Sequence, residues 1–427
     1  IKKRYYEPFS YEDEIWDMLK ESGDRYIYDS VKYGINPENI FGDLPDEVAL
    51  GLDPKQTNLI EIRQSWNITA LNELGLPTET WRELIERRKQ YSEIYSIIKK
   101  GEINDINDFI TYNLNIRQFL QDIIENIQDE KFIKCLYESL CELTVLDPTC
   151  GSGAFLFSAL NILEPLYEGC LQRIENYVNE VSTQYHEVFE RIIESTYSAG
   201  HPNLKYFIFK SIILQNLYGV DIMKEAVEIA KLRLFLKLVA AVDVDYNKYN
   251  LGLEPLPDID FNIRAGNSLI GFATEEELKK GLRYTLDGLV AQPLIEEKCN
   301  DISEAFTQYK EIQLIEYNEH DEFKKRKETL RKYLLELNEN LNHLLHKQAS
   351  GLKYDTWLET HKPFHWFAEF YDIIKGKGGF DVIIGNPPYV VYTANKSPYK
   401  VKNYETLTCS NLYAFCVERS LLLIKTR

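Results

Sequence analysis

No CxxC pair occurs in this chain, and no apolar run is long enough to cross a bilayer. The N-terminus lacks the basic stretch and following apolar segment of a secretory leader. The seven cysteines (Cys135, Cys141, Cys150, Cys170, Cys299, Cys409 and Cys416) are odd in number. Their spacing suits neither a disulfide framework nor a zinc site, so they read as reduced thiols in a cytoplasm. That leaves no metal and no membrane among the expected partners. Positive charge is also short. A net charge of −18 excludes a general coat for nucleic acid, although a local basic surface can still hold phosphates. Internal repeats and low-complexity tracts are missing too.

What remains is the composition of a globular protein, 44% hydrophobic and 27% charged, over 427 residues. That length suits two or three domains. The chain starts at Ile1 and stops at Arg427 inside an apolar helical pattern, so a longer parent polypeptide is expected.

Residues 1 to about 140 read as helical. Around Thr80-Trp81-Arg82-Glu83-Leu84, a cap-like Thr and an early carboxylate precede apolar residues at helical spacing. Then four short apolar runs appear, each closed by Gly, Asp, Asn or Pro: Leu143–Asp147, Leu217–Asp221, Phe261–Gly266 and Phe380–Gly385. Helical patterns such as Lys224–Val239 lie between them. Strands alternating with helices predict an α/β fold with a parallel sheet. Two stretches, 163–215 and 275–375, interrupt the alternation as polar, mostly helical insertions. The charged segment Asp321–Lys347 reads as a solvated spacer, with a partner-binding arm as the alternative.

Four motifs carry chemistry. In the first, Asp147-Pro148-Thr149-Cys150-Gly151-Ser152-Gly153-Ala154-Phe155 follows a strand and opens a helix. Gly151 and Gly153 let a ligand approach the backbone, and the helix start offers free N–H groups. A nicotinamide dinucleotide stays in play, although the pattern is not GxGxxG. Cys150 reads as a small residue packed in the turn rather than a nucleophile. In the second, Asp221-Ile222 ends a strand. Asp221 could accept from both ribose hydroxyls of an adenosine cofactor, or simply cap the next helix. In the third, Asn267 follows the third strand and could read an adenine edge, or be an ordinary Gly-Asn turn.

The fourth is Asn386-Pro387-Pro388-Tyr389, after the fourth strand. An exocyclic aromatic amine is a poor nucleophile because its lone pair is delocalised into the ring. Two acceptors aimed at its N–H bonds draw it toward tetrahedral geometry. The Asn386 side-chain oxygen and the Pro387 carbonyl are the candidates. Consecutive prolines fix φ, remove competing donors and restrict the residues before them. Tyr389 offers a face for a base swung out of a duplex. The alternative is a rigid turn off a strand end.

With these motifs in this order, the chain resembles the N6-adenine DNA methyltransferases of the large type IIG restriction–modification and phage-defence kind. The likeness runs from about residue 105 to the end. It implies a Rossmann-like class I methyltransferase sheet in residues 105–427, preceded by a helical region in 1–104, with the final strands and the target-recognition domain absent. It also implies S-adenosyl-L-methionine as cofactor, bound through Asp147, Pro148, Thr149, Gly151, Gly153, Phe155, Asp221, Ile222 and Asn267. Double-stranded DNA with a flipped base is the implied substrate, other restriction or defence subunits are possible partners, and the setting is a bacterial or archaeal cytoplasm. Pro363-Phe364-His365-Trp366-Phe367 is also typical of these large members.

Upstream, where the family carries Phe-Tyr-Thr-Pro, the nearest match is Phe109-Ile110-Thr111-Tyr112-Asn113, which nominates Thr111. Downstream, Asn411-Leu412-Tyr413-Ala414-Phe415 resembles the motif whose aromatic packs on the target base. A gapless alignment puts that aromatic on Cys416, so Phe415 is nominated. Lys396, Lys400 and Lys402, interleaved with Tyr392 and Tyr399, either touch DNA phosphates or line a solvated loop. No Cys follows a Pro, so cytosine C5 chemistry is excluded. Cytosine N4 and protein glutamine N5 present the same planar NH2; Asn before Pro-Pro favours adenine. A catalytically silent scaffold subunit is the competing class. Pro257-Asp258 and Glu277-Leu278-Lys279 fit a nuclease spacing only superficially.

Overall fold

The structure is a computed structural model. It describes residues 12–32, 43–179, 184–197, 203–243, 246–247, 256–282, 288–315, 320–348, 351–394 and 397–425. The chain forms two compact units, Ile1–Gln128 and Asp129–Arg427.

The first unit is helical. Its long helix α1 (Trp81–Lys100) starts at the expected Thr80, whose hydroxyl accepts from the Glu83 N–H while the Glu83 carboxylate accepts from the Thr80 N–H. Gly101 ends it in the left-handed region. Two shorter helices follow, α2 (Ile106–Thr111) and α3 (Ile116–Asn126). The sequence reading places the domain boundary at 104/105, whereas the compact units part at 128/129, so α2 and α3 lie in the first unit.

All four expected strands form: β1 (Val145–Asp147), β2 (Leu217–Asp221), β3 (Ile263–Ala265) and β4 (Val382–Ile383). They pair in parallel in the order β3-β2-β1-β4. The chain therefore builds outward from β1 to one edge, then returns to lay β4 on its other side. A polar clamp sets that return. The Asp381 carboxylate accepts from the Thr144 N–H and hydroxyl, both at 3.0 Å, just before the paired residues begin. The Ile384 N–H then donates to the Leu146 carbonyl at 2.9 Å, carrying the register to the end of β1.

Helix α4 (Glu130–Glu142) leads into β1, α5 (Ala154–Asn179) follows it, and α6 (Lys224–Val239) follows β2. The expected first insertion is partly a continuation of α5, which runs unbroken through residue 163. It is not polar inside either: Leu163, Leu166, Tyr167, Cys170, Leu171 and Ile174 are buried.

The second insertion departs further from expectation. α7 (Gly288–Ile315) and α8 (His320–Lys347) pack on each other. Leu330, Leu334, Leu337 and Leu341 of α8 are buried in a core with Cys299, Ile302, Tyr309, Phe261, Phe272 and Phe367. The Asp321–Lys347 segment is therefore not a solvated spacer. Its leucine stripe is covered by α7 and by aromatics flanking β3, and one of its charges, Lys327, is drawn in to pair with Asp258 and Asp260. No helix among the described residues is long and apolar enough to cross a membrane.

Candidate active site

Asp147 ends β1 and is buried, at 1% exposure. Its Oδ1 accepts from the Thr149 N–H at 3.0 Å, which tightens the turn around the buried Pro148. Burial pushes its carboxyl up to about 6; the Thr149 N–H opposes this and the nearby Asp221 charge adds to it. Gly151 and Gly153 both hold positive φ, +49° and +78°. At Gly153 a side chain would stand 3.0 Å from the Ala230 Cβ, so the turn is packed onto α6. At Gly151 the space is open, with nothing within 4 Å of where a Cβ would be. The Cys150 thiol is buried, and burial together with the Asp147 and Asp221 charges drives its pKa up, so no nucleophilic thiolate forms there.

Asp221 faces this turn across the sheet. One of its oxygens accepts from the Gly151 N–H at 2.9 Å, the other from the Met223 N–H at 2.9 Å. Asp221 thus ties the glycine turn to the segment leading into α6, but it does not cap that helix, whose N-cap is Met223 with no side-chain bond. Each carboxylate oxygen keeps further acceptor capacity. Ile222 beside it is half-buried.

Asn267, at 2% exposure, follows β3. Its N–H donates to the Lys362 carbonyl and its Oδ1 accepts from the Leu269 N–H. The Pro363–Phe367 segment braces this loop. Phe364 lies against Gly266, where a Cβ would come within 2.7 Å of its ring, and the Trp366 indole donates to the Ser268 carbonyl. His365 accepts from the Phe272 N–H through Nδ1 and meets the Asn342 side-chain oxygen through Nε2 at 3.0 Å. Burial holds its pKa down to about 3, so it stays neutral. Two buried polar atoms at this end of the sheet, Thr149 Oγ1 and Asn267 Nδ2, have no hydrogen-bond partner among the described residues.

The Asn386–Tyr389 corner leaves β4 directly above this turn. Gly385, which precedes it, lies so close that a Cβ there would stand 2.7 Å from Asp147 Oδ1 and 3.3 Å from Thr149 Oγ1. Asn386 is exposed, Pro387 half-buried, Pro388 exposed, and Tyr389 76% exposed. The corner's exit is tied down: the Leu412 N–H donates to the Val390 carbonyl and the Tyr392 N–H to the Ser410 carbonyl. This brings helix α9 (Leu412–Leu423) alongside and sets the Tyr413 ring 5.7 Å from that of Tyr389.

Asp147, Pro148, Thr149, Gly151, Gly153, Asp221, Ile222, Asn267 and Asn386–Tyr389 thus gather at one end of the sheet. Phe155, on the first turn of α5, is partly exposed. Thr111 belongs to the first unit, where its hydroxyl donates to the Asn107 carbonyl within α2. Phe415 is a correction. It is completely buried against Tyr392 and Tyr404, so no face of its ring is available to a base. The exposed aromatic beside Tyr389 is Tyr413, 41% exposed. Sequence reasoning passed over it because Leu412–Val417 is apolar throughout and shows no helical phase. Lys396 lies outside the described residues, and Lys400 and Lys402 border a separate cavity. Asp258 pairs with Lys327 while Glu277 pairs with Arg419, so the nuclease-like spacing unites no site.

Residues 215–427 match the Eco57I restriction-modification methylase family, and residues 123–271 match the MmeI DNA-methyltransferase domain. A Methanocaldococcus jannaschii protein, named as a type II restriction enzyme and methyltransferase, is 30% identical over 380 residues. That match covers 80% of this chain and 29% of the relative, so the chain spans under a third of the relative's length. No solved structure matches. Across residues 123–427, the chain belongs to the restriction–modification DNA methyltransferases of the type IIG-like kind.

Proposed function

We propose that this chain methylates the exocyclic N6 of adenine in double-stranded DNA, with S-adenosyl-L-methionine as donor, on a Rossmann-like class I sheet. The observation that carries this is the approach of Gly385 to Asp147 and Thr149, which seats the Asn-Pro-Pro-Tyr corner over the glycine turn. The strand order β3-β2-β1-β4 supports the fold reading, because ligands of such sheets bind at the carboxyl edge beside the first strand.

The residues present fit the cofactor. Open space at Gly151, the acceptor oxygens of Asp221 and the unpaired Asn267 Nδ2 and Thr149 Oγ1 offer a backbone cradle, a ribose anchor and polar partners for a ring edge. Asp147, Thr149, Gly151, Gly153, Asp221, Ile222 and Asn267 would hold it, with Phe155 at the rim. When bound, it supplies a methyl group on a positively charged sulfur.

The chain's own part is positioning and electrostatics. Asn386 Oδ1 and the Pro387 carbonyl accept the two N–H bonds of the target amine, orient its lone pair and stabilise the positive charge that grows on it. Asn386 is neutral and takes no proton, so the proton leaves to water after transfer. Tyr389, with Tyr413 at its edge, stacks on the extruded base.

Incubating the natural full-length protein with DNA and labelled donor, followed by nucleoside mass spectrometry, tests this. N6-methyladenine is expected. N4-methylcytosine as the only product rejects the adenine assignment, and no donor binding points to a silent scaffold.

A further inference from the structure

A cavity of about 770 Å³ is lined in part by Leu269, Ile270, Gly271 and Phe272. None of Asp147, Thr149, Gly151, Asp221, Asn267 or Asn386 lines it. Three exposed lysines do: Lys280, Lys400 and Lys402. The carboxylate on its wall, Glu277, is already satisfied; it pairs with buried Arg419 at 2.9 Å and accepts from the Ala273 N–H. In a chain of net charge −18, the lysines therefore concentrate positive charge around one concavity.

Lys280 stands on the helix Glu275–Leu282, and Lys400 and Lys402 stand on a loop braced by hydrogen bonds. The Lys400 N–H donates to His361 Nε2, the Val401 N–H donates to the Tyr392 hydroxyl, and Lys402 Nζ donates to the Gln348 carbonyl. His361 is itself stacked on Trp357, which forms part of the wall. The Lys400 and Lys402 charges add to burial in holding the His361 pKa down, so the ring is neutral and leaves the charge to the lysines. Cations gathered around a concave wall favour a ligand with several anionic oxygens in a compact space.

We infer that this cavity is a second binding site, for phosphate groups, separate from the methyl-transfer cleft. Those phosphates come from the DNA backbone flanking the methylated base or from a free nucleotide. Only the DNA arm rests on the function proposed above.

The test uses the natural full-length protein and a Lys280→Gln/Lys400→Gln/Lys402→Gln variant, with the triple Arg variant as the charge-retaining control. Duplex DNA affinity is measured across a salt series, and ATP and inorganic pyrophosphate are titrated without DNA by calorimetry. If DNA is the source, the Gln variant flattens the dependence of log affinity on log salt by about 2–3, and the Arg variant restores it. If a free nucleotide is the source, the Gln variant loses ATP and pyrophosphate binding while the DNA salt slope stays. Neither measurement changing overturns the inference. A parallel loss of S-adenosylmethionine affinity also overturns it, because the cavity would then be part of the cofactor site. A wild-type protein that binds phosphates through these lysines but methylates no DNA sinks the functional reading and leaves this site standing.

Discussion

Gly385 lies against Asp147: a Cβ at residue 385 would be 2.7 Å from the Asp147 carboxylate oxygen. The two residues are far apart in sequence, one lying between β4 and the Asn-Pro-Pro-Tyr corner and the other ending the strand before the glycine turn. Their contact makes the two motifs one site. Gly385→Ala should push the corner off the turn. At least a tenfold loss of methyl transfer is expected with the far-UV circular dichroism unchanged; full activity in the Ala variant would show that the contact does not matter.

Asn386→Ala removes one of the two acceptors proposed for the target amine. Loss of a single such electrostatic partner costs roughly 10²–10³ in kcat. S-adenosylmethionine affinity, measured by calorimetry, should stay within about twofold, because Asn386 is not assigned to the cofactor. A loss confined to KM would remove Asn386 from the chemistry.

Tyr389 and Phe415 should separate cleanly. Tyr389→Ala deletes an exposed ring and should weaken binding of a duplex with an extruded base by about 1–3 kcal/mol, with thermal stability preserved. Phe415→Ala opens a cavity in a core shared with Tyr392 and Tyr404 and should cost about 3–5 kcal/mol in denaturant unfolding. The reverse pattern would restore Phe415 as the base-facing aromatic.

The pH dependence of stability tests the Asp147 environment. Its folded pKa of about 6 lies above the ordinary 3.8, so the folded state holds this proton more tightly than the unfolded one. Ionisation therefore costs stability, progressively between about pH 4 and pH 6, and by a constant amount above that. Asp147→Asn should gain on the wild type through that window, by up to about 3 kcal/mol, and keep a level advantage at higher pH. Equal curves for the two proteins would contradict the burial argument.

Leu337, fully buried on α8, reports whether the helical pair is structural. Leu337→Ala should destabilise the protein by about 2–5 kcal/mol in urea unfolding. A change within 0.5 kcal/mol, about the scatter of an exposed surface substitution, would return this segment to a spacer.

The strands were legible because each is a short apolar run closed by a turn residue, and Asp147, Asp221, Asn267 and Asn386 follow at the strand ends where ligands bind. The helical pair was not legible. The residues that cover Leu330–Leu341, such as Phe261 and Phe367, are remote in sequence, and a charged amphipathic segment reads the same whether its stripe faces water or a partner. Tyr413 escaped because an all-apolar helix start has no periodicity to tell its faces apart. The division at 128/129 escaped because Asn126-Ile127-Gln128-Asp129 carries no Pro, Gly or charge run to mark it.

A crystal structure with a non-reactive amine analogue of S-adenosylmethionine is the most direct measurement of the central claim. It should show the analogue along Gly151 and Asp221, with the centre that replaces sulfur turned toward Asn386 and Pro387. An analogue seated elsewhere, or one whose centre faces away from that corner, would contradict it.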